Sequence, residues 1–401
     1  MSNEKPKKQK AFSPSRTVWR NQMAKGIYTP HRVSRITCII NHLLSEKVSD
    51  FLKNLGVNIY LENGRTIREF SKPRPLGLPG KVVNLQSTPV DIFRFTVPRE
   101  NSTTVMKTII DLVDLNTPGR GTIFEQDLME FTKDTPEINL EYLNKIKISS
   151  GEEINILSNL AYVVCVLSIP KSSEMIAKIA LDLGICVPFI TYGTGNDIRD
   201  QLGLIRITIS PEKELVHLVM PQQDSDNIIR VLSEQARLDR PGRGFIYQTP
   251  VGNGLIDTRM KIGAQQYAAT MEQIIAAIDS LKTGTTWRKR LDTESDNASK
   301  TYLPQDNCEI SIISDEDRID DLRAACLKVG AAGAVTSRVT PQMHVQQGET
   351  RSQTIVRSAI SVPADKTDGV VDILLETSTI KEEITDRIQV LDSPAAYVHS
   401  L

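Results

Sequence analysis

The 401-residue sequence predicts an α+β fold in which one order of elements, β-α-β-β-α-β, is repeated three times along the chain. Three observations predict it. Runs of β-branched and aliphatic residues with strand length recur, and each is followed by a segment with helical apolar spacing. Two nearly identical glycine-rich turns also stand before the last strand of the first two copies. Recurrence on this scale indicates one structural unit that is used several times.

The first strand and first helix of each copy are the clearest elements. The strands are predicted over 35–40, 161–167 and 308–313 because these runs are rich in β-branched and apolar residues. The helices follow, with apolar residues at every third or fourth position, as on a buried helix face. Gly56, Gly184 and Gly330 stand after these helices, where a left-handed C-terminal cap is expected.

A polar segment separates the second and third strands of every copy. Second strands are predicted over 59–70, 187–192 and 334–346, and third strands over 91–98, 214–221 and 354–363. The polar segments between them cover 71–89, 193–211 and 347–353. The first contains several prolines, which cannot donate to a strand ladder, so we predict that it does not form a strand. It is either a presented recognition segment or a plain connector.

Second helices and fourth strands complete each copy. The helices are predicted over 102–115, 224–238 and 367–377, and the strands over 121–131, 244–251 and 384–390. This order of elements is that of the ferredoxin-like fold, in which both helices cover one face of an antiparallel sheet. The sequence therefore predicts three tandem ferredoxin-like modules.

Polar segments mark the predicted domain boundaries. The modules cover 35–131, 160–282 and 308–401, and the second has an added C-terminal helix over 264–281. Residues 132–159 are predicted to be a linker with a short helix, and 283–307 a second linker. Residues 1–34 are predicted to be a disordered basic arm, since the first 35 residues contain nine Lys and Arg against one acidic residue. The arm is either a solvated tail or a docking segment for an acidic partner or a membrane surface.

Composition and spacing exclude several classes of function. The net charge of −1 provides no overall field for nucleic acid, and no apolar run approaches the roughly 20 residues of a transmembrane helix. The five cysteines form no Cys-x-x-Cys pair, which argues against a disulfide framework and a zinc site and indicates a reducing cytoplasm. The histidines have neither metal-ligand nor triad-like spacing. We therefore predict no catalytic residues, no metal ligands and a protein that is not an enzyme.

The two turns before the fourth strands form the sharpest motif. They are Pro118-Gly-Arg-Gly-Thr-Ile-Phe124 and Pro241-Gly-Arg-Gly-Phe-Ile-Tyr247. Glycines let the backbone approach an anion and present N–H groups to it. The turns resemble the Gly-x-Gly-Lys-Ile-Phe turn of the nitrogen-regulatory P-II signalling proteins, whose amides help to hold the phosphates of ATP or ADP between subunits. The resemblance implies the same role here for Gly119, Arg120, Gly121, Gly242, Arg243 and Gly244.

Two further features extend this resemblance, and two depart from it. The glycine-rich segment 192–203 lies where P-II proteins begin their partner-binding T-loop, which implies roles for Gly193, Gly195 and Arg199. Arg259 and Lys261 resemble the basic pair that follows the last strand in that family. Thr122 and Phe245 replace the family's lysine, and the third copy has no Gly-x-Gly turn. The resemblance therefore implies phosphate recognition at the second copy above all.

The resemblance also implies an assembly and a function. P-II proteins are homotrimers with ligand clefts between subunits, so three copies in one chain imply an intramolecular pseudo-trimer. The implied effector is a nucleotide such as ATP, ADP or AMP, or bicarbonate. The implied partner is a membrane transporter for ammonium or inorganic carbon, contacted through 71–89 and 193–211 in the cytoplasm or at the inner face of the membrane. Two alternatives stay open: a structural subunit of a larger complex that senses nothing, and an enzyme on a ferredoxin-like fold.

Overall fold

The computed structural model describes residues 28–74, 81–133, 135–146, 154, 156–195, 212–240, 242–263, 307–331, 333–342, 354–379 and 386–398. Over these residues the protein is a mixed α+β structure with fourteen strands joined in one sheet. The predicted helix over 264–281, the arm up to residue 27, and residues 196–211, 283–306 and 347–353 of the predicted loops and linkers lie outside the described residues. None of the described helices is long and apolar enough to span a bilayer.

The β-α-β-β-α-β order occurs in three successive stretches, here named the first, second and third segments. The first segment, residues 29–132, contains β1 (Thr29–Asn41), α1 (Ser45–Leu55), β2 (Ile59–Pro73), β3 (Lys81–Pro98), α2 (Ser102–Leu112) and β4 (Gly121–Thr132). The short helix predicted in the linker is confirmed as α3 (Leu140–Lys145).

The second and third segments repeat this order. The second, residues 157–255, contains β5 (Leu157–Leu167), α4 (Ser173–Asp182), β6 (Phe189–Thr194), β7 (Glu212–Pro221), α5 (Gln222–Ala236) and β8 (Gly244–Leu255), and the short strand β9 (Lys261–Gly263) follows it. The third, residues 307–398, contains β10 (Asn307–Asp315), α6 (Glu316–Lys328), β11 (Gly333–Gln342), β12 (Ile355–Pro363), α7 (Thr367–Thr379), β13 (Arg387–Ser393) and β14 (Ala395–Val398). The predicted glycine caps are confirmed, because Gly56, Gly184 and Gly330 all have positive φ.

Alternation along the first strand of each segment separates two buried faces. In β1, Ile36, Cys38 and Ile40 belong to an apolar core with residues of α1 and α2. Arg35 and Ile39 point the other way, and their contacts include residues of the other segments. Each segment thus has its own helix-covered core, and the opposite sheet faces meet in the interior.

The strands of the three segments also pair with one another in a closed ring. The fourth strands β4 and β8 pair through Ile123 with Leu255, and β4 and β13 pair through Phe131 with Ile388. Between the second and third segments, Tyr247 of β8 pairs with Ala396 of β14, the short strand that follows β13. Second strands pair through Arg65 with Ile190, Thr194 with Thr336, and Thr340 with Leu61. Each segment therefore pairs with both of the others, once through second strands and once through a fourth strand or the strand that follows it.

Two sequence predictions were wrong at strand ends. The segment 71–89 was predicted to be an excursion, but β2 continues to Pro73 and β3 begins at Lys81, in continuous antiparallel register. Proline is tolerated there because β1 pairs with β3 only from Val90 onward, which leaves an open edge at Pro89. Residues 29–34 of the predicted arm likewise belong to β1, since β4 continues to Thr132 beside them.

Smaller shifts affect other predicted boundaries. β5 begins at Leu157, inside the predicted linker 132–159, and β6 continues to Thr194, inside the predicted loop 193–211. In both cases the neighbouring strand decides how far the ladder extends. Residues 343–346, which were predicted to end the second strand of the third copy, lie outside the described residues.

Candidate functional site

The first glycine-rich turn lies where the first and second segments meet, and we name this place the first junction. Gly119 stands between α2 and β4 with a φ of +99°. Its N–H donates to Oδ1 of Asp257 over 3.0 Å. Asp257 follows β8 of the second segment and is itself buried. The turn therefore binds a carboxylate that the neighbouring segment supplies.

Arg68 of β2 completes the surroundings of that carboxylate. Its guanidinium donates to Oδ2 of Asp257 over 2.5 Å, and both side chains are about 95% buried. Arg68 also donates through Nε to the Arg259 carbonyl oxygen and through Nη1 to Oγ1 of Thr66, both over 3.0 Å. The N–H of Asp257 in turn donates to Oγ1 of Thr122 over 2.9 Å. Charge and hydrogen bonds thus join both segments at the first junction.

Arg259 and Lys261 lie at the first junction, although the sequence associated them with the second copy. A Cβ added to Gly119 would lie 3.1 Å from Cδ of Arg259, so this exposed side chain crosses directly over the turn. Lys261 begins β9, which pairs in parallel with β2. The segment that follows β8 therefore serves the neighbouring turn.

A shallow pocket opens at the first junction. It has an empty volume of about 320 Å³, part of which is open solvent, and its enclosed part is about the size of one water molecule. It is lined by Ile39, Asn41, Thr66, Arg68, Thr88, Val90, Gly119, Arg120, Gly121, Thr122, Val187, Phe189 and Asp257. The enclosed space is too small for a nucleotide while Asp257 and Arg68 are paired.

The second glycine-rich turn, residues 242–244, forms a second junction with comparable local contacts. The Arg243 carbonyl oxygen accepts from the Ser168 N–H over 3.0 Å, as that of Arg120 accepts from Asn41. Nζ of Lys213 donates to Oγ of Ser168 over 3.0 Å. A Cβ on Gly195 would lie 2.9 Å from Cε of Lys213. The structure thus brings Gly195, Lys213 and the second turn together, while Arg199 lies outside the described residues.

Close packing explains several of the predicted site glycines without any ligand. A Cβ on Gly121 or Gly244 would collide with the carbonyl oxygen of the first strand beside it, from Ile39 or Val166. A Cβ on Gly193 would lie 2.7 Å from the carbonyl oxygen of Thr336, where β6 meets β11. These glycines allow close backbone approach, and the amides that they present are a consequence of it.

The interior between the segments contains a buried polar cluster. His217 of β7 hydrogen-bonds with the Tyr162 hydroxyl over 2.7 Å and with Oγ1 of Thr191 over 2.8 Å. Burial, followed by the positive charges of Arg94 and Arg357, lowers the pKa of His217 well below its usual value. This histidine is therefore held neutral in a packed position.

The described cysteines are buried and form no disulfide. Burial raises the pKa of the Cys165, Cys186 and Cys326 thiols to about 12, which keeps them protonated. Within the described ranges, no group of three His, Cys, Asp or Glu side chains is placed to hold a metal ion.

Sequence reasoning missed Arg68, Thr122 and Asp257 as site residues. Arg68 lies in a strand and Asp257 lies in a short segment after another strand, far apart in the chain. No local motif marks either of them. Arg68 and Asp257 can pair because β8 lies beside β4, which places the residues after Leu255 next to the first turn.

Comparisons with known proteins name no family. No family model matches the chain, and no curated protein matches it. Among solved structures, a crystal structure of aspartate kinase from Synechocystis aligns with 10% identity over 90% of this chain and 44% of that chain, with a TM-score of 0.19. The chain thus spans less than half the length of that enzyme, and a likeness at this level carries no argument about fold or function.

Proposed function

We propose that this protein is a P-II-like regulatory protein, an intramolecular pseudo-trimer that binds a small anionic effector at a junction between modules and acts on a protein partner. The observation that carries the proposal is the closed ring of strand pairings described above. In that ring, each Gly-Arg-Gly turn stands beside a strand of the next segment: Leu255 pairs next to the first turn and Val398 next to the second. Ligand sites between subunits of a trimer would become sites between modules of one chain.

The second junction is the better candidate for the effector. Arg243 stands in the turn, and Lys213 lies between that turn and Gly195, so two cations flank the glycines. Guanidinium and ammonium groups beside backbone amides suit a phosphate or carboxylate. The candidate effectors are ATP, ADP, AMP and bicarbonate.

The partner-contacting elements are the long β2–β3 hairpin and the segment 193–211. The hairpin extends beyond the contact with β1 and exposes Val82 and Val83 beside the cation of Lys72. Exposed aliphatic groups with a neighbouring charge are suited to a protein surface. A transporter for ammonium or inorganic carbon is the partner that the resemblance suggests. Regulation requires the effector to bind one hairpin or loop arrangement better than another.

Calorimetric titration tests the effector site. Full-length protein is titrated with ATP, ADP, AMP and bicarbonate, and the titration is repeated with Arg243→Ala and with Arg230→Ala. Arg230 is an exposed arginine on α5 and serves as the matched control. We expect binding that Arg243→Ala weakens at least tenfold and Arg230→Ala leaves unchanged. Absence of heat with every ligand would count against a sensor. Gly244 is unsuitable for this test because its replacement would disturb the fold.

Light scattering tests the assembly. A mass of one chain, 44.7 kDa, agrees with a pseudo-trimer built within the chain. A stable trimer of chains would require the modules to pack with copies of the same protein, against the proposal.

A second candidate function is a structural subunit that senses nothing. The Asp257 carboxylate favours it, because it already binds the first turn and the neighbouring arginine. This candidate predicts that a partner co-purifies regardless of nucleotide. Release of the partner by ATP or ADP would exclude it.

A further inference from the structure

We infer that the Asp257 carboxylate is an internal ligand of the first junction, where it occupies an anion site and holds two segments together without any external anion. The inference rests on the proposed function only in treating the Gly-Arg-Gly turn as an anion-binding element. Contacts at the first junction support it.

The groups around Asp257 form a complete receptor for one carboxylate. Oδ1 accepts from the Gly119 N–H over 3.0 Å and from the Arg259 N–H over 2.9 Å. Oδ2 accepts from Arg68 over 2.5 Å. Backbone N–H groups of a glycine turn together with a guanidinium are the donors that proteins use for phosphates and carboxylates. Here the anion is covalently part of the neighbouring segment.

The charged groups of Arg68 and Asp257 are both buried, so each depends on the other for its neutralisation. Side-chain exposure is 6% for Arg68 and 3% for Asp257, so removal of either charge leaves the other in a poorly solvated place. Oδ2 and Oδ1 also join different elements, since Arg68 belongs to β2 and Gly119 precedes β4. One carboxylate thus links both elements of the first segment to the chain that follows β8.

The second junction lacks this internal anion in its sequence. Leu255 pairs with Ile123, the second residue after Gly121, and Asp257 follows two positions later. Tyr397 pairs with Ile246, the second residue after Gly244, and the residue two positions later is His399. The position two residues after the paired residue is therefore acidic beside the first turn and not acidic beside the second. The first turn is satisfied from within, whereas the sequence has a histidine and no carboxylate at the matching position after the strand beside the second turn.

The inference makes a chemical prediction: without its carboxylate, the first junction should accept a small anion from solution. Thermal unfolding of full-length wild type, Asp257→Ala and Asp239→Ala is followed by circular dichroism, with inorganic phosphate or sodium chloride at equal ionic strength. Asp239 is an exposed aspartate near the second turn and serves as the matched control. We expect Asp257→Ala to melt below wild type and phosphate to raise its midpoint by about 2 °C or more beyond chloride. Exclusion of phosphate and binding at the second junction act on all three proteins, so the difference between phosphate and chloride should be about 2 °C smaller in wild type and Asp239→Ala than in Asp257→Ala.

Two further variants keep the test decisive. The double variant Arg68→Ala with Asp257→Ala should lose the additional phosphate response, because the guanidinium that binds the anion is gone. If Asp257→Ala does not fold, the same comparison is made with Asp257→Ser, whose short side chain also leaves the anion site open. Equal phosphate responses in wild type and the Asp257 variant would overturn the inference, since phosphate also stabilises proteins by exclusion from their surface. Survival of the response without Arg68 would overturn it too.

Failure of this inference and failure of the proposed function give different results. The internal ligand is tested by phosphate rescue of a variant, whereas the effector site is tested by nucleotide binding to wild type. Rescue without nucleotide binding would support the structural subunit, and nucleotide binding without rescue would leave a sensor whose first junction is not an anion site.

Discussion

The buried ion cluster at the centre of the three segments provides the sharpest stability prediction. Glu309 of β10 accepts from Arg35 of β1 over 3.1 Å and from Arg357 of β12 over 3.0 Å. Side-chain exposure is 1% for Glu309 and 3% for Arg35. The carboxylate therefore neutralises the buried guanidinium of Arg35 and the largely buried guanidinium of Arg357, and Glu309→Gln removes that negative charge while keeping the shape.

The expected cost of Glu309→Gln is about 3 kcal/mol of unfolding free energy. Loss of one partner of a buried ion pair costs about 3 to 5 kcal/mol. The lower end applies because Arg35 keeps its hydrogen bonds to Gln126 and Gln389. Burial raises the pKa of Glu309, but the two arginines outweigh burial, so the pKa lies below its usual value and the carboxylate is charged at neutral pH.

Urea unfolding followed by circular dichroism measures this cost. Glu141→Gln is the matched control, because Glu141 is 81% exposed in an i,i+4 pair with Lys145 and should contribute less than about 0.5 kcal/mol. A loss below about 1 kcal/mol for Glu309→Gln would show that the two arginines do not need this negative charge. Replacement of Arg35, Glu309 and Arg357 together by apolar residues of similar size should recover much of the stability, since no uncompensated charge then remains.

Three further predictions concern single positions. Gly121→Ala should lower the unfolding free energy by at least about 2 kcal/mol in urea, because its Cβ meets the Ile39 carbonyl oxygen; an unchanged urea midpoint would contradict this packing. His217 is neutral in the folded protein, so the unfolded state takes up an extra proton below about pH 6.5. The unfolding free energy therefore decreases as the pH is lowered below that value, by up to about 1.4 kcal/mol per pH unit. His217→Gln should remove this part of the slope, and equal slopes in the two proteins would exclude the assignment. Arg65→Ala should cost less than about 1 kcal/mol by the same urea assay, since its partner Glu174 is half exposed; a loss of 2 kcal/mol or more would reveal a role beyond a surface ion pair.

Local sequence was sufficient for the elements whose signals are short-range. Apolar alternation and helical spacing predicted the strands and helices of all three segments, and the glycines after the first helices predicted their caps. The glycine-rich turns were located before β4 and β8 as predicted. These features depend on residues within a few positions of one another, where steric preference and side-chain periodicity decide the outcome.

Strand ends and the composition of the candidate site depended on neighbours distant in sequence. The prolines around 71–89 argued against a strand, yet β2 and β3 pair through much of this stretch because one edge is open. Arg259 and Lys261 were associated with the second copy, although the chain after β8 places Arg259 over the first turn and pairs Lys261 with Glu69 of β2. Local propensity cannot specify a partner strand, because a ladder is formed by two stretches at once.

By itself, the sequence determined that one β-α-β-β-α-β order is written three times and that two of the copies contain a Gly-Arg-Gly turn. The closure of the strands into a ring, and the binding of Asp257 to Arg68 and the first turn, became visible in the folded structure alone. Periodicity and capping depend on residues that are close in the chain. Arg68 and Asp257 are 189 residues apart and can pair only once the strands of two segments lie side by side.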